Sequence, residues 1–361
     1  MKVCHLTSAH ETDDDRIFLK ECQSLLAAGH EVYIVGKGGK YVKDGVRIEG
    51  VGDLSGSRLK RMWKGAKTVY QKALSLDCDI YHFHDPELLP YGLKLRKKGK
   101  KVIFDSHEDH PAQIRDKEWI PEPFRKAAAA CYRAYETHAV RYLSAVVAAT
   151  PHIAEQFQGR AKKVAVINNF PKLDDILFHE TSFEERERII CYAGGLSEMR
   201  GEKVMTEAMK GVDGLLVLAG AHEDGESREG QKDALPHVRY IGKVDRKGIN
   251  ELYGSARAGI VVYLPAENFI EAQPIKLFEF MAAGLPVIAS DFPLWKRFIE
   301  DNACGICVDP HDTEAVRKAC ETLLDDPALS EKMGRRGRKL VEEKYAWQNE
   351  EKKLRELYES L

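Results

Sequence analysis

The sequence predicts an α/β protein made of two parallel-sheet domains, and three observations predict it. Short β-branched runs alternate with longer helical patterns throughout, the signature of strands joined by crossover helices. That pattern stops at a polar stretch and then restarts. At 361 residues the chain is also too long for one ordinary hydrophobic core.

In the first half the strands are expected at 2–7, 31–36, 79–84, 101–105, 145–149 and 164–167, with amphipathic helices at 16–28, 88–98 and 123–142. Segment 170–188 opens Phe170-Pro171-Lys172-Leu173-Asp174-Asp175 and has the composition of a linker. A second strand series follows at 189–193, 214–219, 238–241, 258–263, 286–290 and 305–308, and the tail reads as helices at 313–325, 328–343 and 346–361. The expected domains are therefore 1–170 and 171–345. Two similar α/β domains facing each other put the carboxyl ends of both sheets at one cleft, where ligands of such sheets bind.

Composition narrows the function. Hydrophobic residues make up 43% and charged residues 31%, as in globular proteins, and the formal net charge of −2 argues against a nucleic-acid partner. Eight cysteines are scattered; only Cys304 and Cys307 form a C-x-x-C, and nothing completes a zinc site around them. The chain opens directly on the strand-like Lys2-Val3-Cys4-His5-Leu6, without a signal peptide or a membrane-length apolar run. A cytoplasmic protein is expected, at most lying on the inner face of a membrane.

The most informative run is Glu271-Ala272-Gln273-Pro274-Ile275-Lys276-Leu277-Phe278-Glu279-Phe280-Met281-Ala282-Ala283-Gly284-Leu285-Pro286-Val287-Ile288. Pro274 suits a first helical turn and Gly284 ends the helix before Pro286 opens a strand. Glu271 then lies in the loop ahead of the helix and Glu279 more than one turn inside it. The amides around Ile275 to Leu277 form a dipole-assisted place for an anion such as a diphosphate. Solvated glutamates on an ordinary amphipathic helix are the plain alternative for either acid alone.

This run resembles the Glu-x7-Glu signature of retaining glycosyltransferases of family 4, which have the GT-B fold. Its variant Pro-x-Lys-x-Phe-Glu-Phe-Met-Ala-x-Gly-x-Pro-Val-Ile resembles bacterial members that make surface polysaccharides. The resemblance implies two facing Rossmann-like domains with an interdomain cleft, and a C-terminal helix, 346–361, that crosses back to the first domain. It also implies that Glu271 contacts the donor sugar and Glu279 the nucleotide ribose. Glu267 competes for the first role, but only Glu271 has seven residues between it and Glu279.

A second match is Tyr192-Ala193-Gly194-Gly195-Leu196-Ser197-Glu198-Met199-Arg200-Gly201, which runs from a strand into a helix. Family members often read Gly-Arg-Leu-x-x-x-Lys-Gly here, with both basic residues on the donor diphosphate. Arg200 matches the second, and Gly195 replaces the first. Lys276 is the candidate to supply the missing cation, a solvated helix lysine being the alternative.

In the first half, Asp79-Ile80-Tyr81-His82-Phe83-His84-Asp85-Pro86-Glu87 and Val102-Ile103-Phe104-Asp105-Ser106-His107-Glu108 each end a strand in histidines and acids. His82 and His84 alternate onto one strand face, as metal ligands could, yet the spacings fit no metal motif and no metal site is expected. The resemblance places His107 near the donor sugar; His84, Asp85 and Glu87 would then shape the acceptor side. His82, mid-strand between aromatic residues, reads as a core histidine. The opening His10-Glu11-Thr12-Asp13-Asp14-Asp15-Arg16 offers His10 and Arg16 to the acceptor side, with Asp13 to Asp15 as helix caps. Asp77-Cys78-Asp79 precedes a strand and reads as a turn. The glycines of Gly36-Lys37-Gly38-Gly39 lack the spacing of a nicotinamide-binding fingerprint. Two basic runs, Arg58 to Lys67 and Lys94 to Lys101, are either solvated helix faces or a contact for an anionic membrane.

The expected activity is metal-independent transfer of a sugar from a UDP- or GDP-linked donor to a hydroxyl of a saccharide or lipid-linked acceptor, in surface polysaccharide synthesis. The rivals are a sugar-nucleotide epimerase or glycosyl phosphorylase of the same architecture, and a non-catalytic subunit of a polysaccharide-assembly complex.

Overall fold

The computed structural model describes residues 1–53, 61–117, 120–222 and 235–361, with the backbone alone at 61, 62 and 116. It divides into two units, Met1–Asn169 with Gln348–Leu361, and Phe170–Trp347.

The first unit is built on β1 (Lys2–Leu6), β2 (Glu31–Gly36), β3 (Gly38–Lys43), β4 (Val46–Gly52), β5 (Ile80–Phe83), β6 (Lys101–Ser106), β7 (Ala145–Ala148) and β8 (Val164–Val166). They form an eight-stranded sheet ordered β3-β4-β2-β1-β5-β6-β7-β8 among the described residues. Every pairing is parallel except β3 with β4. The inner strands β5 and β7 are buried along their whole length, as expected where helices cover both faces of a parallel sheet. The β3–β4 hairpin is an addition to the strands expected from the sequence. Its turn is Asp44-Gly45, with φ of 46° and 84°, the pair of positive angles that a two-residue hairpin turn demands.

The segment expected as one helix over 16–28 is a π-helix over Asp15–Cys22 continued by α1 (Gln23–Ala27). Asp14 caps it, accepting from the amides of Arg16 and Ile17. Wider winding brings residues five apart together, so Arg16 and Glu21 face each other, with Arg16 Nε 3.2 Å from Glu21 Oε1. The helices that follow in this unit are α2 (Ala66–Ser75), α3 (Leu89–Lys97), α4 (His110–Asp116), α5 (Glu122–Val140) and α6 (Pro151–Phe157).

The second unit contains β9 (Ile189–Ala193), β10 (Leu215–Ala219), β11 (Val238–Gly242), β12 (Ala258–Val261), β13 (Val287–Ser290) and β14 (Gly305–Val308). Their order is β11-β10-β9-β12-β13-β14, all parallel. Numbered from the first strand, this is the 3-2-1-4-5-6 order of a nucleotide-binding doubly wound sheet. Its helices are α7 (Glu202–Ala208), α8 (Arg246–Ser255), α9 (Glu267–Ile270), α10 (Ile275–Ala282), α11 (Pro293–Ile299), α12 (Thr313–Asp325) and α13 (Pro327–Glu343). The last helix, α14 (Trp347–Glu359), returns the chain to the first unit.

That return is held by buried polar contacts. Glu350 Oε2 accepts from the Asn168 amide at 2.8 Å and from Asn168 Nδ2 at 3.2 Å. Tyr358 hydroxyl lies 2.8 Å from His82 Nδ1, and Leu354 and Tyr358 are buried. Removing the Glu350 carboxylate strands the Asn168 amide without an acceptor, which costs about 1–3 kcal/mol. Glu350→Ala is expected to lower unfolding free energy by about that amount in urea titration. Deleting residues 347–361 is expected to leave no cooperative unfolding of the first unit in the same measurement.

Candidate active site

In doubly wound sheets, ligands bind beyond the carboxyl ends of the strands where the strand order reverses, because the two adjacent loops there part to opposite faces. The reversal in the second sheet lies between β9 and β12. The loops leaving those strands carry Gly194 to Arg200 and the segment up to α10.

The β9 loop continues the strand: the Gly194 amide donates to Ala219 O at 2.8 Å, and that of Leu196 to Ala221 O at 2.9 Å. Gly195 O accepts from the Tyr192 hydroxyl at 2.9 Å. Gly220 has φ 145°, and a Cβ on it would lie 1.7 Å from Gly194 O, so the neighbouring strand-end loop approaches by virtue of having no side chain. Arg200 closes a 3₁₀ turn, Glu198–Arg200, rather than starting the helix directly. Gly201 after it is left-handed, φ 79°, with its Cβ position 1.9 Å from Val262 O. The Arg200 guanidinium lies 5.9 Å from the Tyr263 ring centroid, and the Leu264 amide donates to Met199 O at 2.9 Å. The two loops at the reversal are thus stitched together, and Arg200 belongs to both.

Tyr263 also packs on Phe269 and Trp295, with ring centroids 5.0 and 5.6 Å away. Trp295 Nε1 donates to Ala272 O at 2.8 Å, which pins the loop bearing Glu271. Glu271 is exposed and caps the carboxyl end of α9; Glu267, its competitor, is exposed within that helix. Pro274 is the N-cap of α10 instead of a first-turn residue, and no side chain among the described residues caps the helix. The Leu277 amide donates to Pro274 O at 3.1 Å, so of the three amides expected to meet an anion that one is engaged. Those of Ile275 and Lys276 head the helix.

Glu279 is 2% exposed. Its Oε2 accepts from Lys276 Nζ at 2.6 Å and from the Tyr253 hydroxyl at 3.1 Å, and its Oε1 from Arg246 Nη1 at 3.2 Å. Burial alone would push its pKa up, but the charges and hydrogen bonds of Lys276 and Arg246 more than offset this and hold it below the usual carboxylate range. Glu279 is therefore an ionised acceptor held from three sides. Lys276, expected to face a diphosphate, spends its ammonium on Glu279. Arg246 and Tyr253 were invisible to motif reading, since both lie on α8, in a segment without any signature of its own.

The first sheet reverses between β1 and β5, and there the structure joins all the candidates of that half. Asp85 Oδ2 accepts from the Thr7 and Ser8 hydroxyls at 3.0 and 3.3 Å and from the Ser8 amide at 2.6 Å. Its Oδ1 lies 2.8 Å from His10 Nδ1. Ser8 Oγ also lies 3.1 Å from Glu87 Oε1, so its one proton is shared between the two acids. The His10 and His107 rings are 5.0 Å apart, and His107 Nε2 is 2.9 Å from Asp105 Oδ2. Asp105 in turn takes Arg16 Nε and Nη2 at 2.9 and 3.0 Å and His84 Nδ1 at 3.2 Å.

Burial sorts these residues into two groups. The side chains of His10 and His107 are 34% and 17% exposed, and Glu87 is half-buried. Arg16, His84 and Asp85 are buried, so the acceptor-side contact expected of them is replaced by an inward one: they orient His107 and His10 instead of reaching solvent. Arg16 also donates to Ile167 O at 2.9 Å. Burial drives His84 down to about 4, against the pull of Asp105. His82 is a core histidine as read, Asp77 turns at φ 49° ahead of β5, and Asp14 is the helix cap.

Comparison with known proteins agrees with this architecture. Residues 16–174 match the model of Glycosyltransferase Family 4 and residues 174–340 that of glycosyl transferases group 1. The chain belongs to the family 4 glycosyltransferases and has their GT-B fold. Among curated relatives, phosphatidyl-myo-inositol mannosyltransferase of Mycobacterium leprae is 28% identical over 180 residues, 48% of this chain and 47% of that one. The chain thus spans about half the length of that relative. Sucrose-phosphate synthase from Thermosynechococcus elongatus superposes with a TM-score of 0.78 at 17% identity, covering 99% of this chain and 98% of that one. Anabaena HepE in complex with UDP-glucose superposes with a TM-score of 0.73 at 14% identity over 100% of both chains.

His10 gives a pH-dependent test of the first-sheet cluster. Burial would lower its pKa, but the hydrogen bond and charge of Asp85 outweigh this and raise it to about 9. A raised folded-state pKa means the pair stabilises fully below the unfolded value and loses that stabilisation as pH rises through about 9. His10→Gln is therefore expected to be less stable than the parent at about pH 6 and equal to it at about pH 10, by urea unfolding.

Proposed function

We propose that this protein is a retaining glycosyltransferase that moves a sugar from a nucleoside-diphosphate donor, UDP- or GDP-linked, to a hydroxyl of a saccharide or lipid-linked acceptor. Surface polysaccharide synthesis is the setting this implies. The observation that carries the reading is the ionised, three-sided clamp on Glu279 inside the helix that starts at the second sheet's reversal, with Arg200 and Glu271 on the adjoining loops.

Each part has a chemical task. An ionised carboxylate accepts but cannot donate, so Glu279 suits the two hydroxyls of a ribose. Arg200 and the leading amides of α10 suit a diphosphate, and Glu271 ahead of them suits the hydroxyls of the donor sugar. In the transfer the anomeric carbon–phosphate oxygen bond breaks, with its electron pair leaving on the diphosphate. The acceptor oxygen bonds the same face of that carbon and gives its proton to the departing phosphate. Stabilising the leaving group by fixed donors needs no metal at that place. His107, oriented by Asp105, lies on the first unit and is assigned to the sugar, while His10 and Glu87 are assigned to the acceptor.

The test is a panel of UDP- and GDP-sugars, with and without acceptor saccharides. The expected outcome is transfer to acceptor with the anomeric configuration kept, and the same turnover whether or not Mg²⁺ is added. Conversion of donor without acceptor would establish an epimerase instead, and donor binding with no turnover a non-catalytic subunit. Arg200→Ala is expected to lower kcat about 100-fold, the usual cost of losing one donor to a developing oxyanion. Glu279→Ala is expected to lower kcat/KM by a similar factor, about 2.7 kcal/mol.

We also propose contact with an anionic membrane, because Trp63 is 75% exposed and followed by Lys64, with Lys97 and Lys98 exposed elsewhere on the unit. Arg58 to Lys60 of the first basic run lie outside the described residues. No described helix is long and apolar enough to cross a membrane. Flotation with anionic liposomes is expected at low salt and to be lost as salt rises; equal recovery with neutral liposomes would exclude it.

A further inference from the structure

Three histidines share one face of the first sheet. His5 on β1 pairs in register with His82 on β5, and His84 follows two residues later, so strand alternation turns all three to the same side. Their ring centroids lie 4.7, 4.9 and 5.2 Å apart. Glu21 of the π-helix joins them: its Oε2 is 3.8 Å from His5 Nδ1, 3.9 Å from His82 Nδ1 and 4.0 Å from His84 Nε2. All four side chains are 0% exposed.

Their hydrogen bonding is incomplete. Neither oxygen of Glu21 accepts a hydrogen bond, and Nε2 of His5 and of His82 has no partner. Oε1 of Glu21 lies near Arg16, whose guanidinium already serves Asp105 and Ile167. Glu21, Asp105 and Arg16 bring two negative charges and one positive into a place without water, and an uncompensated buried carboxylate costs several kcal/mol. Neutral imidazoles with one carboxylate are the donor set of a borderline divalent metal.

We propose that His5, Glu21, His82 and His84 form a closed site for one zinc-class divalent cation, which ties β1, β5 and the π-helix together. One ligand atom from each residue lies within 4.8 Å of the others. A tetrahedral metal with bonds of about 2.0–2.1 Å needs its ligand atoms about 3.4 Å apart. His5 Nδ1 and His84 Nε2, 2.9 Å apart, open slightly, and Glu21 closes by about half an ångström. One outer hydrogen bond of the kind that metal-bound imidazoles carry is present, Asp105 on His84 Nδ1; the Tyr358 hydroxyl, 2.8 Å from His82 Nδ1, gives way when that nitrogen takes the metal. The neighbouring trio of His84, Asp105 and His107 is a weaker candidate, because Arg16 takes both oxygens of Asp105. Sequence spacing gives no hint of the site, since its ligands come from three separate segments.

The test uses the full chain, purified without chelator or metal-affinity chromatography. Elemental analysis is expected to find close to one zinc per chain, and stripping it to lower the melting temperature. The stripped protein titrated with Co²⁺ alone is expected to develop the visible absorption of a tetrahedral centre. X-ray absorption on the parent protein then reads nitrogen and oxygen ligands only, and a sulfur ligand overturns the assignment. Glu21→Gln, nearly isosteric, is expected to keep the parent's circular dichroism while weakening Co²⁺ binding about tenfold or more. Metal well below one per chain with no cobalt spectrum overturns the proposal. So does unchanged cobalt affinity in a folded Glu21→Gln protein, or cobalt binding that is lost in His107→Ala.

Discussion

The first unit is organised around the Asp105 carboxylate at the end of β6. It takes two hydrogen bonds from Arg16 and lies within bonding distance of both His84 and His107. Buried carboxylates are expensive unless every lone pair is used, and here the guanidinium does most of that work. Arg16 reaches it from the π-helix after β1 and His84 from the end of β5, on the two sides of the sheet's reversal, while His107 follows it on its own strand end. Losing either partner leaves a bare charge in the interior, which is why Arg16 and Glu21 of the π-helix are buried beside its Ile17 and Phe18. The winding follows from the same demand: five-residue spacing lets Arg16 and Glu21 both face inward.

The second unit uses charge differently. Glu279 is also buried and ionised, but its partners Lys276 and Arg246 retain 23% and 38% side-chain exposure. A carboxylate held by partly solvated cations keeps acceptor capacity toward an incoming ligand, whereas Asp105 has its oxygens committed to the protein. Asp105 is thus a residue that builds its site, and Glu279 the one proposed to meet a ligand.

Much of the architecture was legible because a parallel sheet buried on both faces writes its strands as continuous apolar runs. β2, β9 and β14 fall on the residues expected, and the other expected strands within one or two at either end. The β3–β4 hairpin escaped although Asp44-Gly45 between β-prone residues is a recognisable turn; its outer strand, Gly38–Lys43, is exposed and polar, so hydrophobicity gave nothing to find. The helix run from Ile275 to Ala282 was readable from Pro274 and Gly284. Tyr263, Trp295, Arg246 and Tyr253 were not, because their importance lies in which distant loop they touch, and a linear pattern does not encode that. Arg16 and His84 were found as candidates for the right neighbourhood, but composition cannot say which way a charged side chain turns.

The helix that brings the chain back to the first unit has a bearing on how the protein is made. Asn168 waits for Glu350, and His82 for Tyr358, across an intervening stretch that forms the whole second unit. During synthesis the amino-terminal half leaves the ribosome with these polar groups unsatisfied and with the surface that α14 covers open to water. The second unit, continuous in sequence, is free to fold first. Vectorial emergence is therefore inverted for this chain, and its amino-terminal half is completed only once α14 has left the ribosome.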